Sequence, residues 1–245
     1  MVHARMHRWA WIVCASISVA AADTKGACGV ETGFLDRSYE DAAGERHQYV
    51  VFVPAAYDPE KPWPLIVFLH GAGERGTDNR EQVSVGLGPV VRRQLDTFPA
   101  LVLFPQARKD WLAMRPDLTR AIAELDRVEE EFNVAADRVY VTGLSMGGRG
   151  TWDMVHMCPD RFAAAVPICG FFNDELAPFI DLPTWFFHGD ADPVVSVGNS
   201  RKAVRALRAA GGNPRYTEFA DVGHDSWLPA YDTPELIPWM LSQSR

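Results

Sequence analysis

The chain has little of what nucleic-acid-binding, membrane-spanning or disulfide-rich proteins depend on. Its 245 residues include four cysteines, and 24 Lys and Arg against 32 Asp and Glu give a formal net charge of −8. An acidic chain is poorly suited to nucleic acid or to an anionic membrane surface. Beyond the N-terminus no apolar run is long enough to span a bilayer, and no His, Cys or Asp cluster has metal-site spacing. We therefore expect no nucleic-acid partner, no stable membrane insertion and no metal or other cofactor.

The first 22 residues are typical of a secretory signal peptide. Basic residues in 3–8 precede a short apolar run at 9–19, and the three alanines at 20–22 offer a small-residue cleavage site. The apolar run is too short to favour a membrane anchor. We predict a signal peptide at 1–22, one catalytic domain at 23–245, and a secreted or periplasmic protein.

Removal of this segment would leave Cys28, Cys158 and Cys169, an odd number that cannot all pair within one chain. Cys158 ends a predicted helix and Cys169 ends the next predicted strand, so the two should lie at opposite ends of one unit. We expect free, buried thiols, although the sequence leaves open whether any of the three cysteines pair.

Short apolar segments alternate with helical patterns along most of the chain. Segments 33–35 and 49–54 predict an opening hairpin. The continuous apolar runs at 65–69 and 100–105 predict strands that are buried on both faces. This order predicts one mixed but mostly parallel sheet with helices on both faces. The remaining predicted strands are 138–142, 161–169, 183–188 and 216–219, and the predicted helices are 116–132, the segment from 145 to about 157, 199–210 and 234–242.

The join at Gly143-x-Ser145-x-Gly147 is the most informative motif. It links a β-branched strand to a helical pattern and has the spacing of a nucleophile elbow, in which a serine hydroxyl is exposed on a strained turn. The glycines would allow close backbone approach. A glycine-rich turn without chemistry has the same spacing, so the interpretation depends on whether the chain also supplies a base, an acid and an oxyanion hole.

His224 is the predicted base because it lies in the loop after the last predicted strand, where ligands bind in open α/β sheets. The acid should fall between the serine and the histidine in the chain, and both Asp190 and Asp192 qualify. We favour Asp192, since the following Pro and apolar pair would hold it rigidly, whereas Asp190 is typical of a turn-forming aspartate.

Two backbone N–H groups should form the oxyanion hole. One is that of Met146, directly after the serine, and the second should come from the loop after the strand at 65–69, where Ala72 is the best placed donor. The same loop matches the dinucleotide fingerprint at Gly71-x-Gly73-x-x-Gly76. That fingerprint requires a helix at its third glycine, and the residues that follow favour a loop, which argues against a nucleotide site.

Together these motifs resemble the α/β-hydrolase fold. More narrowly they are similar to the phospholipase/carboxylesterase or "predicted peptidase" group, which is related to polyhydroxybutyrate depolymerase-like and feruloyl-esterase-like secreted esterases. The resemblance implies hydrolysis of a carboxylic ester through a Ser-His-Asp triad and an acyl-enzyme, without a cofactor. The motifs that carry it are the loop at 69–76, Gly143-Leu144-Ser145-Met146-Gly147-Gly148, His188-Gly189-x-x-Asp192 and Gly223-His224.

The short stretch between Cys169 and Pro183 leaves no room for a large cap domain. We expect an open site that suits small-molecule or polymer-attached esters, lined by Trp111, Phe171 and Trp227. Feruloyl or acetyl esters of plant polysaccharide, a polyester, and a peptide amide remain alternative substrates. A non-catalytic binding protein would be expected to lack one of the three candidate triad residues. Acyl and alcohol specificity and oligomeric state stay open.

Overall fold

The computed structural model describes residues 29–245, so the predicted signal peptide and Cys28 lie outside the described residues. Eight strands form a single sheet in the order β1-β2-β4-β3-β5-β6-β7-β8. Strand β2 runs antiparallel to both of its neighbours, β1 and β4, and the strands from β4 to β8 run parallel to one another. These strands are β1 (Gly33–Glu40), β2 (Arg46–Val53), β3 (Trp63–Leu69), β4 (Leu101–Pro105), β5 (Val134–Leu144), β6 (Ala164–Ile168), β7 (Trp185–Gly189) and β8 (Arg215–Phe219).

Helices cover both faces of the sheet, because the strands are apolar on both sides. In β3, Ile66 packs into one core and its neighbour Val67 into the other, as alternating strand side chains must. The α-helices are α1 (Leu87–Arg93), α2 (Pro116–Glu131), α3 (Met146–Met157), α4 (Gly198–Ala209), α5 (Trp227–Tyr231) and α6 (Leu236–Leu241). Helices α2, α3 and α4 cover the face of Val67, while α1, α5 and α6 cover the face of Ile66.

The predicted fold class, with an antiparallel opening hairpin, is confirmed, and residues 29–245 contain no large cap domain. Between β6 and β7 the chain adds only a short 3-10 turn, Asp174–Phe179. The sequence prediction missed α1 and α5, began β6, β7 and α6 two or three residues too early, and made β1, β2 and β5 too short. No helix within residues 29–245 is long and apolar enough to cross a membrane.

The strand order fixes where a site can form. The chain leaves β3 to add β4 on one side and then returns to add β5 on the other. Loops that leave β3 and β5 therefore diverge, and this divergence opens the crevice at the carboxyl edge in which α/β proteins bind ligands. Ser145 follows β5, and the loop at 70–76, hereafter the oxyanion loop, follows β3.

Candidate active site

Ser145 occupies a strained turn between β5 and α3. Its φ is +52°, a left-handed conformation that costs a residue with a Cβ about 1–3 kcal/mol. Its N–H donates to Ile168 O at 2.9 Å, which ties the turn to β6. A Cβ on Gly147 would lie 1.9 Å from Leu69 O, and one on Gly143 would lie 2.4 Å from Gly147 O. Glycine is therefore required at both positions for the turn to form.

His224 lies between β8 and α5 and connects the serine to an aspartate. Its Nε2 is 2.8 Å from Ser145 Oγ, and its Nδ1 is 2.7 Å from Asp192 Oδ2. An ionised carboxylate can only accept a hydrogen bond, so Nδ1–H donates to Asp192 and Nε2 accepts from the serine hydroxyl. The Trp227 ring packs at nearly a right angle to the imidazole, with the two ring centroids 5.5 Å apart. This arrangement can remove a proton from Ser145.

Asp192 is held in place by hydrogen bonds to both of its carboxylate oxygens. Its side chain is fully buried, and Oδ1 accepts hydrogen bonds from Val194 N at 2.8 Å and Val195 N at 2.9 Å. Burial by itself would raise the pKa of Asp192, but the hydrogen bonds from His224 and from the two backbone amides outweigh it, and the pKa lies below the ordinary aspartate value. The carboxylate therefore stays ionised beside the imidazole.

Asp190, the alternative acid, makes a hydrogen bond elsewhere and does not contact His224 in this structure. It is exposed, and its Oδ1 accepts a hydrogen bond from Asp221 N at 2.8 Å. That bond joins the loops that follow β7 and β8. The structure thus brings Asp192 to His224 and uses Asp190 to close the neighbouring turn.

His188 is a contributor that the sequence analysis missed. It is fully buried, with Nε2 2.8 Å from Val195 O and 3.2 Å from Asp192 Oδ2, and Nδ1 2.7 Å from Ser200 Oγ. A carbonyl only accepts, so Nε2 carries the proton. Burial lowers the pKa of His188, which favours the neutral ring. His188 thereby holds the loop of Asp192 against α4. Its position four residues before Asp192 is the sequence feature from which this contact could have been predicted.

The oxyanion loop is fixed by His70. Its Nδ1–H donates to Gly71 O at 2.6 Å, while its Nε2 accepts from Ala107 N at 2.9 Å. Because a peptide N–H points opposite to the preceding carbonyl, holding Gly71 O also fixes the direction of the Ala72 N–H. Burial lowers the pKa of His70 to about 4, so the ring is neutral at ordinary pH, as this bonding pattern requires.

Gly71 brings this loop against the serine. A Cβ at Gly71 would lie 3.8 Å from Ser145 Cβ. On the other side, Met146 begins α3, and the first N–H groups of a helix have no intrahelical acceptor. Gly71, directly before Ala72, therefore lies beside the serine, and the positive end of α3 would stabilise a negative charge that develops there. The assignment of the Ala72 and Met146 N–H groups as oxyanion donors remains a prediction.

The predicted substrate-binding residue Trp111 requires a correction. Its side chain is 1% exposed, its Nε1 donates to His70 O at 2.9 Å, and its Cβ occupies the space that a side chain at Gly150 would need. Trp111 is a core residue beneath the oxyanion loop. Phe171, by contrast, is 51% exposed just after β6, and Trp227 is half-buried against His224.

Two groups of side chains within residues 29–245 place enough donor atoms together to be considered for a metal ion. Cys169, Asp192 and His224 form the first, but burial raises the pKa of Cys169 to about 12, which leaves a protonated thiol and a poor ligand. The second group is Asp41, Glu45 and His47. There Asp41 is engaged by turn amides and His47, and Glu45 pairs with Arg108.

The two described cysteines, Cys158 and Cys169, are both free, as predicted. Cys169 is buried and Cys158 is half-buried. The interpretation of these residues as packing groups therefore holds for both.

Solved structures share this architecture. A thermostable esterase superposes with a TM-score of 0.81 at 40% identity, over 86% of this chain and 63% of that one. A ferulic acid esterase superposes with a TM-score of 0.69 over 85% of this chain and 97% of that one. At 17% identity, the second likeness shows the fold alone.

Curated relatives are more distant and much longer. An uncharacterized secreted protein of Arthroderma benhamiae is 24% identical over 225 residues, which cover 74% of this chain. A bifunctional acetylxylan esterase/xylanase of Neocallimastix patriciarum is 24% identical over 164 residues, which cover 64% of this chain. The chain spans 23% of the length of each of these relatives.

The match that assigns the family covers most of the elements described above. Residues 45–228 match the family from β2 to the start of α5. This span includes the elbow, the oxyanion loop, Asp192 and His224. The chain belongs to the dienelactone hydrolase family, within the α/β-hydrolases.

Proposed function

We propose that this protein is a secreted serine carboxylesterase that hydrolyses small or aromatic carboxylic esters through Ser145, His224 and Asp192. The observation that carries the proposal is the continuous hydrogen-bonded path from Ser145 Oγ through the imidazole to the buried carboxylate, with contacts of 2.8 and 2.7 Å. A serine hydroxyl is a weak nucleophile until a neighbouring base takes its proton, and these contacts provide such a base.

In the first half of the reaction Ser145 Oγ attacks the ester carbonyl carbon as its proton passes to His224 Nε2. The carbonyl oxygen becomes an oxyanion that the N–H groups of Ala72 and Met146 stabilise. Asp192 stabilises the imidazolium by accepting the Nδ1–H bond. Collapse of the tetrahedral intermediate breaks the bond to the alcohol oxygen, which leaves with the proton from Nε2, and an acyl-enzyme remains.

In the second half water replaces the alcohol. His224 Nε2 removes a proton from the water, whose oxygen attacks the acyl carbon, and the oxyanion forms again at the same donors. Collapse then returns the proton to Ser145 Oγ and releases the carboxylic acid. The connection between β6 and β7 adds no domain that would cover the site, so water reaches the acyl-enzyme directly.

Replacement of Ser145 with Ala tests the assignment. We expect hydrolysis of a chromogenic acetate to fall by about 10⁶, the order of magnitude for loss of a triad nucleophile, with an unchanged circular dichroism spectrum. A fluorophosphonate probe should label the wild type and the matched control Ser84→Ala, since Ser84 is exposed and bonds only within its own turn. Substantial residual activity in Ser145→Ala would disprove the elbow assignment.

Feruloyl esters of plant polysaccharide are a second candidate substrate class, favoured by the exposed ring of Phe171. Acetylated polysaccharide is another, because one relative is described as an acetylxylan esterase. A panel of acetyl and feruloyl esters with a peptide amide separates these possibilities. Cleavage of the amide alone would indicate a peptidase, and no turnover at all would indicate a binding protein.

Secretion is part of the same proposal. It is supported by the basic, apolar and small-residue pattern of segment 1–22 and by the description of the Arthroderma benhamiae relative as secreted. N-terminal sequencing of protein from a secreting host should show a mature start near Ala22 or Asp23. A membrane-associated product that retains Met1 would identify the segment as an anchor.

A further inference from the structure

A polar recess of about 240 Å³ opens beside the oxyanion loop. Its residues come from the start of β2, the loops after β3 and β4, and α2. Strand β2 runs antiparallel to β4, so its first residues lie at the carboxyl edge of the sheet, the edge that also carries Ser145. Polar side chains that line the recess include those of Arg46, His47, Thr77, Gln106, Arg120 and Glu124.

The recess shares the oxyanion loop with the candidate active site. Gly76 N donates to Ala107 O at 3.0 Å, and Gln106 Nε2 donates to Glu74 O at 3.0 Å, so the oxyanion loop forms one of its walls. From Gly71, which contacts Ser145, to Gly76 is five Cα steps, or at most about 19 Å at 3.8 Å per step. One extended substrate molecule can reach both places.

The recess carries an excess of positive charge in a chain whose net charge is −8. Arg120 pairs with Asp117, but Arg46 has no carboxylate within salt-bridge distance among residues 29–245, and its Nε donates to Ser38 Oγ at 3.1 Å. Burial raises the pKa of Glu124 well above its ordinary value, which favours the neutral form of its carboxyl group. The terminal nitrogens of Arg46 are therefore free to bind an anion.

Two buried polar atoms belong to the same recess. Glu124 is 2% exposed and His47 is 4% exposed, yet Glu124 Oε2 and His47 Nδ1 have no hydrogen-bond partner within the described part of the chain. The other nitrogen of His47 is engaged with Asp41 Oδ2 at 2.9 Å. Buried polar atoms in native proteins are nearly always paired, and hydroxyl groups of a ligand would pair these two.

We propose that the recess is a subsite for an acidic sugar unit in the alcohol part of the substrate. Its carboxylate binds Arg46, for which a planar guanidinium is well matched, and its hydroxyl groups bind Glu124 and His47. This assignment rests on the proposed ester hydrolysis and narrows the substrate to esters of acid-bearing polysaccharide.

Binding to the full-length Ser145→Ala protein tests the subsite without turnover. Glucuronate should give saturable NMR shifts at the amides of Gly76 and Thr77 and bind at least about tenfold more tightly than glucose, because only glucuronate offers a charge-assisted hydrogen bond. Arg46→Gln should remove that preference. The control Arg208→Gln changes charge equally at the far end of α4 and should leave it intact.

Three results would each overturn the proposal: equal binding of glucose and glucuronate, NMR shifts that Arg46→Gln does not affect, or no binding of either sugar. The last result would show that the recess is only a hydrated cleft.

Hydrolysis of a simple chromogenic acetate is measured in parallel. The control Arg208→Gln, at the far end of α4, should leave that activity within about twofold of wild type. Inactivity of the wild type toward every ester would refute the proposed function, whereas an active enzyme that ignores glucuronate would refute the subsite alone.

Discussion

Asp190 and Asp192 are two residues apart, and their surroundings give them different roles. Asp192→Asn should lower the rate of ester hydrolysis by about 10⁴, because an amide cannot hold the required tautomer of His224 or stabilise its charge. Asp190→Asn should cost far less, since an amide oxygen can still accept from Asp221 N. The measurement is kcat/KM for one chromogenic ester with both variants, and a larger loss in Asp190→Asn would reverse the assignment of the acid.

The sequence alone was enough to identify the base and the acid, because chain order and local rigidity distinguish them from the other candidates. It placed His224 by its position after the last strand and Asp192 by the Pro that follows it. It failed for Trp111, whose burial depends on how the loop after β4 folds over α3. It also overlooked His188, because its contact with Asp192 Oδ2 at 3.2 Å forms only when the loop after β7 turns back on the strand.

At the scale of elements, regular periodicity decided what could be predicted. Helix α2 is amphipathic over sixteen residues and begins with Pro116, so the sequence predicted it within one residue. Helix α1 has seven residues and contains Gly88 and Pro89, and α5 has only five. Such short helices are formed by packing on the sheet rather than by a pattern of their own.

We expect the connection between β6 and β7 to limit which acyl groups the site can accept. With only the turn Asp174–Phe179 in this stretch, there is no apolar cover to open at an oil–water interface and no wall for a long acyl tunnel. We expect kcat/KM to be highest for acetyl, butyryl or feruloyl esters and lowest for palmitoyl esters of one alcohol.

The exposed ring of Phe171 should contribute roughly twofold to tenfold selectivity for an aryl acyl group. Phe171→Ala should therefore reduce the ratio of feruloyl to acetyl activity, while Phe179→Ala removes another exposed ring in the neighbouring turn and serves as the control. A maximum at palmitoyl, with activation above the micellar concentration, would contradict the open site and indicate a lipase.

For the whole molecule, the alternation of strands and helices was sufficient to predict a mostly parallel sheet covered on both faces. The strand order was not predicted from the sequence, because β3, β4 and β5 have similar apolar composition and nothing in the pattern says which two flank the third. The observed order places β3 between β4 and β5, and this placement brings the oxyanion loop against Ser145.

Two fully buried neutral histidines should make the stability of the whole fold sensitive to acid. Burial lowers the pKa of His70 to about 4 and also lowers that of His188, whereas an unfolded histidine titrates near 6.5. Between those values the unfolded chain binds more protons than the folded one, so the free energy of unfolding falls as the pH falls. For His70 alone the loss between pH 7 and pH 5 is roughly 2 kcal/mol.

Urea unfolding at pH 7, 6 and 5 measures this dependence, and His70→Gln isolates the contribution of one ring. The variant should be less stable at pH 7, because Gly71 O and Ala107 N lose well-placed partners. Its free energy of unfolding should nevertheless change less between pH 7 and pH 5 than that of the wild type, since the buried group that resists protonation is gone. Parallel pH dependences in the two proteins would show that His70 does not resist protonation in the folded state, and the hydrogen bonds that orient Ala72 would then need a different explanation.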